Sequence, residues 1–203
     1  MDASDDSRED QPDGLRARLV ALVMERGYER RPEPFQLSSG GTSYDYVDMR
    51  RAVAGGADLE LAARAVVEAL AAAGIAYDAI GGMTMGADPV AHAVAVLTGC
   101  SWYSVRKATK GHGTGRRIEG VPVGPGVRVV VLEDTVSTGQ SLLDAYEVVR
   151  GTGADVVVAC TILDRGDAMA ARMGETGTRY LPVLTYRDVG LEPLGEPTAS
   201  PGG

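Results

Sequence analysis

Apolar positions recur at helical spacing from residue 15 onward. LRARLVALVMERGYE, residues 15–29, sets Leu15, Leu19, Leu22 and Val23 on one face and arginines on the other, which predicts an amphipathic helix. PEPFQLSSGGTSYDYVDMRRAV then reads as two short extended segments around an SSGG turn. DLELAARAVVEALAAAG is a second helix, with Asp58 as its N-cap and Gly74 as its stop. After that the pattern alternates. YDAIGGM is a strand, DPVAHAVAVL a helix with Asp88 at its cap and Pro89 at its first position, and SWYSV a strand. GVRVVVLEDT is an almost wholly apolar strand that ends in two carboxylates. QSLLDAYEVVRGTG is an amphipathic helix closed by glycine, ADVVVACTILD another buried strand, and TRYLPVLTY the last one. Apolar strands separated by helices predict a parallel sheet covered on both faces, with ligands bound beyond the carboxyl ends of its strands.

Composition narrows the function classes. The chain has 203 residues and a net charge of −8. The first 14 residues hold six acids and one arginine, so most of that charge belongs to one end. We expect residues 1–13 to be a disordered acidic tail, residues 14–190 one domain, and residues 191–203 a flexible C-terminal tail. The nearly balanced body offers no broad basic face, which argues against general nucleic-acid binding. No run approaches the roughly 18 apolar residues of a membrane span, and the first residues lack the basic start and apolar stretch of a signal peptide. The expectation is a cytoplasmic protein without a membrane partner. Cys100 and Cys160 lie beside apolar stretches at a spacing that matches no metal site, and His92 sits within an apolar helix; all three read as structural.

Candidate chemistry gathers at strand ends. In VVVLEDTVSTGQS, residues 129–141, Glu133 and Asp134 precede a hydroxyl-rich turn that opens a helix. Backbone N–H groups there can cradle a phosphate, Thr135, Ser137, Thr138 and Ser141 add hydroxyls, and the carboxylates can accept from a sugar diol. An N-cap with two solvated acids is the plainer reading, but adjacent acids after VVVL are costly to hold together without a ligand. GGMTMGADPVA, residues 81–91, is a weaker signal: small residues let a ligand approach the backbone. Arg165 in ILDRGD follows a buried strand, where a guanidinium fork suits a planar carboxylate or imide. SVRKATKGHGTGRR, residues 104–117, holds both lysines of the chain, Lys107 and Lys110, together with His112. Against a solvated loop or a nucleic-acid contact, a cationic lid for a small polyanion is the more economical reading beside a phosphate cradle.

These segments resemble a known family. VVVLEDTVSTGQS is similar to the phosphoribosyl-diphosphate signature of type I phosphoribosyltransferases, and RKATKGHGTGRRIEG to the catalytic loop of the orotate phosphoribosyltransferases. FQLSSGGTSYDYVDMR, GGMTMGADPVA and Arg165 resemble the same branch, over about residues 15–190. The resemblance implies an α/β type I phosphoribosyltransferase fold: a central parallel sheet flanked by helices, a small N-terminal hood and a flexible catalytic loop. It implies the transfer of the 5-phosphoribosyl group from phosphoribosyl diphosphate to orotate, giving orotidine 5′-monophosphate and pyrophosphate in pyrimidine biosynthesis. Mg²⁺ would be the cofactor, held mainly through substrate and water without a dedicated protein site. Glu133 and Asp134 would hold the ribose hydroxyls, and Thr135, Val136, Ser137, Thr138, Gly139, Gln140 and Ser141 the 5′-phosphate. Thr84, Met85 and Gly86 would meet the pyrophosphate, and Arg106, Lys107, Lys110 and His112 would close over it. Tyr46, Ser137 and Arg165 would contact orotate. A homodimer is implied, each loop reaching the neighbouring site. Ser38 and Gly86 stand where other members carry lysine, and Val47 where some carry a second aromatic. The alternatives are a transferase for another base and a phosphoribosyl-diphosphate-sensing regulator on the same fold; the regulator would need a basic face.

Overall fold

The computed structural model describes residues 12–36, 41–107 and 117–194. Its frame is a six-stranded sheet in the order β5-β4-β3-β6-β7-β8. The strands are β3 (Ala79–Met83), β4 (Ser101–Val105), β5 (Ile118–Gly120), β6 (Arg128–Val136), β7 (Asp155–Asp164) and β8 (Tyr180–Thr185). All neighbours run parallel except β5, which pairs antiparallel to β4. Helices α1 (Pro12–Leu22), α3 (Gly56–Ala72) and α4 (Asp88–Thr98) pack one core, and α5 (Gln140–Arg150) and α6 (Ala168–Thr176) another. Alternation along β6 shows why the central strand reads as a continuous apolar run. Val130 and Leu132 enter the first core, Val129 and Val131 the second, so both faces must be apolar.

A two-stranded antiparallel sheet, β1 (Tyr28–Gln36) with β2 (Thr42–Val47), forms a separate small hood. It is tied back by α2 (Met49–Ala52), a single turn capped by the Asp48 carboxylate, which accepts from the N–H groups of Arg50 and Arg51 at 3.0 and 3.3 Å. Arg51 then donates to the carbonyls of Arg26, Gly27 and Tyr28 at 2.7, 3.1 and 3.2 Å. One guanidinium thereby satisfies three carbonyls where the chain leaves its first helix and enters the hood.

Several local expectations are corrected. The first helix is α-helical only to Leu22; a π turn follows over Val23–Gly27, and Tyr28 already belongs to β1. Asp58 is not an N-cap, because α3 starts at Gly56 with Gly55 as its cap; Asp58 turns back from the first turn to pair with Arg26. Asp88 lies inside α4 behind the cap residue Ala87, and its carboxylate accepts from Ser104 Oγ at 2.7 Å. The β6 ladder does not stop at the carboxylates but continues to Val136, because β7 keeps pairing through Thr135↔Leu163 and Val136↔Asp164. The elements α2, β5 and α6 carry too little apolar periodicity to have been predicted: α6 buries only Met169 and Met173. Cys160 is buried and Cys100 half-buried, both free thiols. His92 is exposed and stacks edge-on against Trp102, with ring centroids 4.4 Å apart.

Arg51→Ala is expected to cost about 1–2 kcal/mol in urea unfolding, since three carbonyls lose a charged donor but stay partly open to water.

Candidate active site

The carboxyl ends of β3 and β6 converge under the hood. A pocket of about 270 Å³ lies between them, lined on the β6 side by Glu133, Asp134, Thr135 and Ser141, on the β3 side by Met83, Thr84, Met85 and Gly86, and from the hood by the stretch from Tyr46 to Arg50. Lys107, which follows β4, completes the lining. The sequence had placed Glu133, Asp134, Thr135, Ser141, Thr84, Met85, Gly86, Lys107 and Tyr46 at a site, and the fold brings all nine to one cavity.

Electrostatics there are dominated by the adjacent acids. Glu133 is only 6% exposed, and its Oε2 is buried without a partner among the described residues. Burial first and the neighbouring Asp134 second hold its carboxyl far above the ordinary range. Asp134 is also raised by burial, against the opposing pull of the Thr135 N–H, which donates to Oδ1 at 2.7 Å, and of Arg50. Its carboxylate lies so close to β3 that a Cβ on Gly86 would fall 2.7 Å from Oδ1. A side chain at position 86 would therefore require the Asp134 carboxylate to shift.

Beyond Asp134, Thr135 Oγ1 is a second buried group without a partner among the described residues. Val136 turns its side chain into the core, leaving only backbone to the site; its carbonyl accepts from the Arg165 N–H at 2.7 Å. Ser137 and Thr138 form the turn, and Gly139 caps α5 at φ 78°, where a Cβ would collide with Met169 Sδ. Arg172 on α6 holds this turn by donating to the Thr138 carbonyl and to Gln140 Oε1. No local signal in the sequence marks Arg172, because its partners lie more than thirty positions away.

Arg165 is 2% exposed, and burial lowers the pKa of its guanidinium from the ordinary value. Nη1 donates to the Asp45 carbonyl at 3.3 Å, whereas Nε and Nη2 are buried without partners among the described residues. A buried guanidinium with two open donors is costly unless something accepts from them. The next residue along β2, Tyr46, presents its ring to Phe35 edge-on at 5.5 Å, with the Arg31 guanidinium 4.4 Å from its centroid.

The basic segment starts from a closed stem. The Arg106 N–H donates to the Arg117 carbonyl at 2.8 Å, and Arg117 Nε and Nη2 both donate to the Arg106 carbonyl at 3.3 Å. The Arg106 guanidinium pairs with Glu119 at 3.2 Å. Lys107 faces the pocket and also an adjoining cavity of about 690 Å³ bounded by Arg117, Gln140 and Asp144. Lys110, His112 and Ser38 lie outside the described residues. Among the described residues, no group of three or more His, Cys, Asp or Glu side chains could hold a metal ion, and no helix is long and apolar enough to cross a membrane.

Comparison with known proteins gives a consistent picture. No family model matches the chain. It is 36% identical over 186 residues to the orotate phosphoribosyltransferase of Rhodopirellula baltica, covering 87% of this chain and 95% of that protein. It is 41% identical over 162 residues to the orotate phosphoribosyltransferase of Streptomyces coelicolor, covering 77% and 87%. Among solved structures, the orotate phosphoribosyltransferase of Mycobacterium tuberculosis H37Rv in complex with 5-phospho-α-D-ribosyl 1-diphosphate superposes with a TM-score of 0.72 at 38% identity, over 87% of this chain and 99% of that one.

The raised Glu133 carboxyl has a stability consequence. Folding takes up a proton there between the ordinary value of 4.5 and about 9, so stability falls as pH rises through that window and levels off above it. Glu133→Gln has no such proton to lose. Its melting temperature relative to the unsubstituted ligand-free protein is expected to climb by several degrees from about pH 5 to about pH 9, measured by calorimetry in matched buffers.

Proposed function

The chain belongs to the orotate phosphoribosyltransferase family, and we infer that it joins orotate to the 5-phosphoribosyl group of phosphoribosyl diphosphate, releasing pyrophosphate. The observation that carries this reading is the adjacent pair of buried Glu133 and half-buried Asp134 facing Thr84–Gly86 and Lys107 across one pocket. Such a site matches a sugar diol next to a diphosphate. A transferase for another base and a sensing regulator are both disfavoured by the relatives, which carry the orotate enzyme's name.

In the reaction the C1–oxygen bond of the ribose breaks, pyrophosphate departs, and N1 of orotate, losing its proton, bonds to C1. Glu133 and Asp134 accept from the ribose hydroxyls. A buried Oε2 without a partner among the described residues is the state expected of an acceptor awaiting a donor. The turn from Thr135 to Ser141, stiffened by Arg172, takes the 5′-phosphate through backbone N–H groups and hydroxyls. Thr84, Met85 and Gly86 approach the diphosphate. Lys107 and Arg106, with Lys110 and His112, stabilise the negative charge that develops on the leaving group, which raises rate more than affinity. Arg165 offers its two open donors to the carboxylate or imide edge of orotate, with Tyr46 and Ser137 beside the ring. Magnesium supplies further positive charge at the diphosphate when bound. The Glu133 and Asp134 carboxylates are suitable hard oxygen donors, though substrate and water would provide most of its ligands.

A cytoplasmic homodimer completes the proposal. Its support is an apolar surface at the end of α4 and on β4, where Val96 is 85% exposed beside Leu97 and Trp102.

The direct test supplies orotate, uracil and purine bases in turn with phosphoribosyl diphosphate and magnesium, and follows pyrophosphate release; release with orotate alone is expected. Arg165→Ala should raise the KM for orotate by tenfold or more while the KM for phosphoribosyl diphosphate changes little, by the loss of a charged hydrogen-bonding pair, roughly 1.5–3 kcal/mol. Equal loss for both substrates would mean that Arg165 supports the fold instead. For the shared loop, Lys107→Ala and Asp134→Asn are each expected to be nearly inactive, and mixing them under subunit exchange should recover up to about a quarter of normal activity. Heterodimers without recovery would exclude a loop acting across the interface.

A further inference from the structure

Charge in the pocket comes from few sources. Its described lining gathers three carboxylates, Asp48, Glu133 and Asp134, against two cations, Lys107 and Arg50. A substrate with a diphosphate entering that space needs positive charge close by. The β3 side supplies none, since Met83, Thr84, Met85 and Gly86 carry no charge. Lys107 belongs to the loop stem. Arg50 belongs to α2, on the hood.

The two adjacent arginines of α2 differ sharply in what they do. Arg51 is occupied by the carbonyls of Arg26, Gly27 and Tyr28, which accounts for it as part of the fold. Arg50 makes side-chain hydrogen bonds among the described residues to Asp48 alone, Nε to Oδ1 at 3.3 Å and Nη2 to Oδ2 at 3.5 Å. Asp48 is itself fixed by capping the turn, so it orients the guanidinium without covering it. The side chain is about half exposed, and its charge reaches Asp134 across the pocket.

We propose that Arg50 is a diphosphate-binding residue of this enzyme, held by Asp48 so that its guanidinium fork takes phosphate oxygens of phosphoribosyl diphosphate and of the pyrophosphate product. The proposal rests on the transfer reaction assigned above. A planar fork matches two phosphate oxygens better than a point charge does. Its charge also screens the diphosphate from Asp134, which must stay ionised to accept from the ribose. Because the contact exists with bound substrate and bound product alike, it contributes affinity rather than turnover. Lys107, acting on charge that develops during bond breaking, contributes the reverse.

The test uses the full chain and two independent readouts. One is steady-state kinetics with phosphoribosyl diphosphate and orotate varied separately; the other is calorimetric titration with magnesium pyrophosphate, which needs no turnover. Arg50→Gln is expected to raise the KM for phosphoribosyl diphosphate and the Kd for pyrophosphate by about tenfold or more, as loss of a charged hydrogen-bonding pair predicts. The turnover number and the KM for orotate should stay within about twofold. Arg50→Lys, which keeps charge and loses the fork, should fall between the two and replaces the glutamine variant if that one does not fold. Arg51→Ala should lower the melting temperature without this selectivity. The proposal is overturned if Arg50→Gln binds pyrophosphate and phosphoribosyl diphosphate within twofold of the unsubstituted protein, or if the KM for orotate rises equally. If the unsubstituted protein forms no orotidine 5′-monophosphate, the assigned reaction fails instead, and the pyrophosphate titration still decides on Arg50.

Discussion

Two carboxylates share the end of one buried strand, and most of the site is arranged around that constraint. Glu133 and Asp134 sit on β6, the strand flanked by β3 and β7 near the middle of the sheet. The ladder that continues to Val136 fixes their backbone at the pocket. Desolvation and mutual repulsion therefore act on them together, and the fold answers with a few donors: the Thr135 N–H and the charge of Arg50. What remains unanswered is Glu133 Oε2, a buried acceptor. A protein tolerates such a group where a ligand completes it, at a cost in stability without the ligand.

The same logic extends to the other unpartnered groups. Thr135 Oγ1 and two donors of Arg165 are buried without partners, and all three lie at the carboxyl ends of β6 and β7. Elsewhere the described core is closed by ordinary means, as where Tyr103 OH donates to the Val130 carbonyl at 2.8 Å. Among the described residues, unsatisfied buried side-chain polarity is thus confined to one rim of the sheet. The hood is held over that rim by Arg51 from one side and by the Arg165–Asp45 contact from the other. The Arg106–Arg117 stem, closed by the Arg106 N–H on the Arg117 carbonyl, leaves from the carboxyl end of β4.

Much of this was legible along the chain. VVVLEDTVSTGQS announced its chemistry because local order is enough: an apolar run, two acids and a hydroxyl-rich turn must leave a buried strand at its ligand edge. Asp58 and Asp88 were misread as caps because a capping aspartate and a first-turn aspartate look alike in sequence, and only the partners Arg26 and Ser104 distinguish them. Helix α6 was missed because it buries just two methionines.

By itself, the sequence determined the parallel sheet, the succession of its main strands along the chain and the residue types at its ligand edge, because periodicity and strand-end chemistry are local properties. Tertiary structure alone decided which charges meet. Arg50 and Arg51 are neighbours with identical side chains, yet one holds the backbone and the other lines the pocket. Arg172 supports a turn more than thirty residues earlier. Such roles depend on distances between elements remote in the chain, and these are set by how the two cores pack.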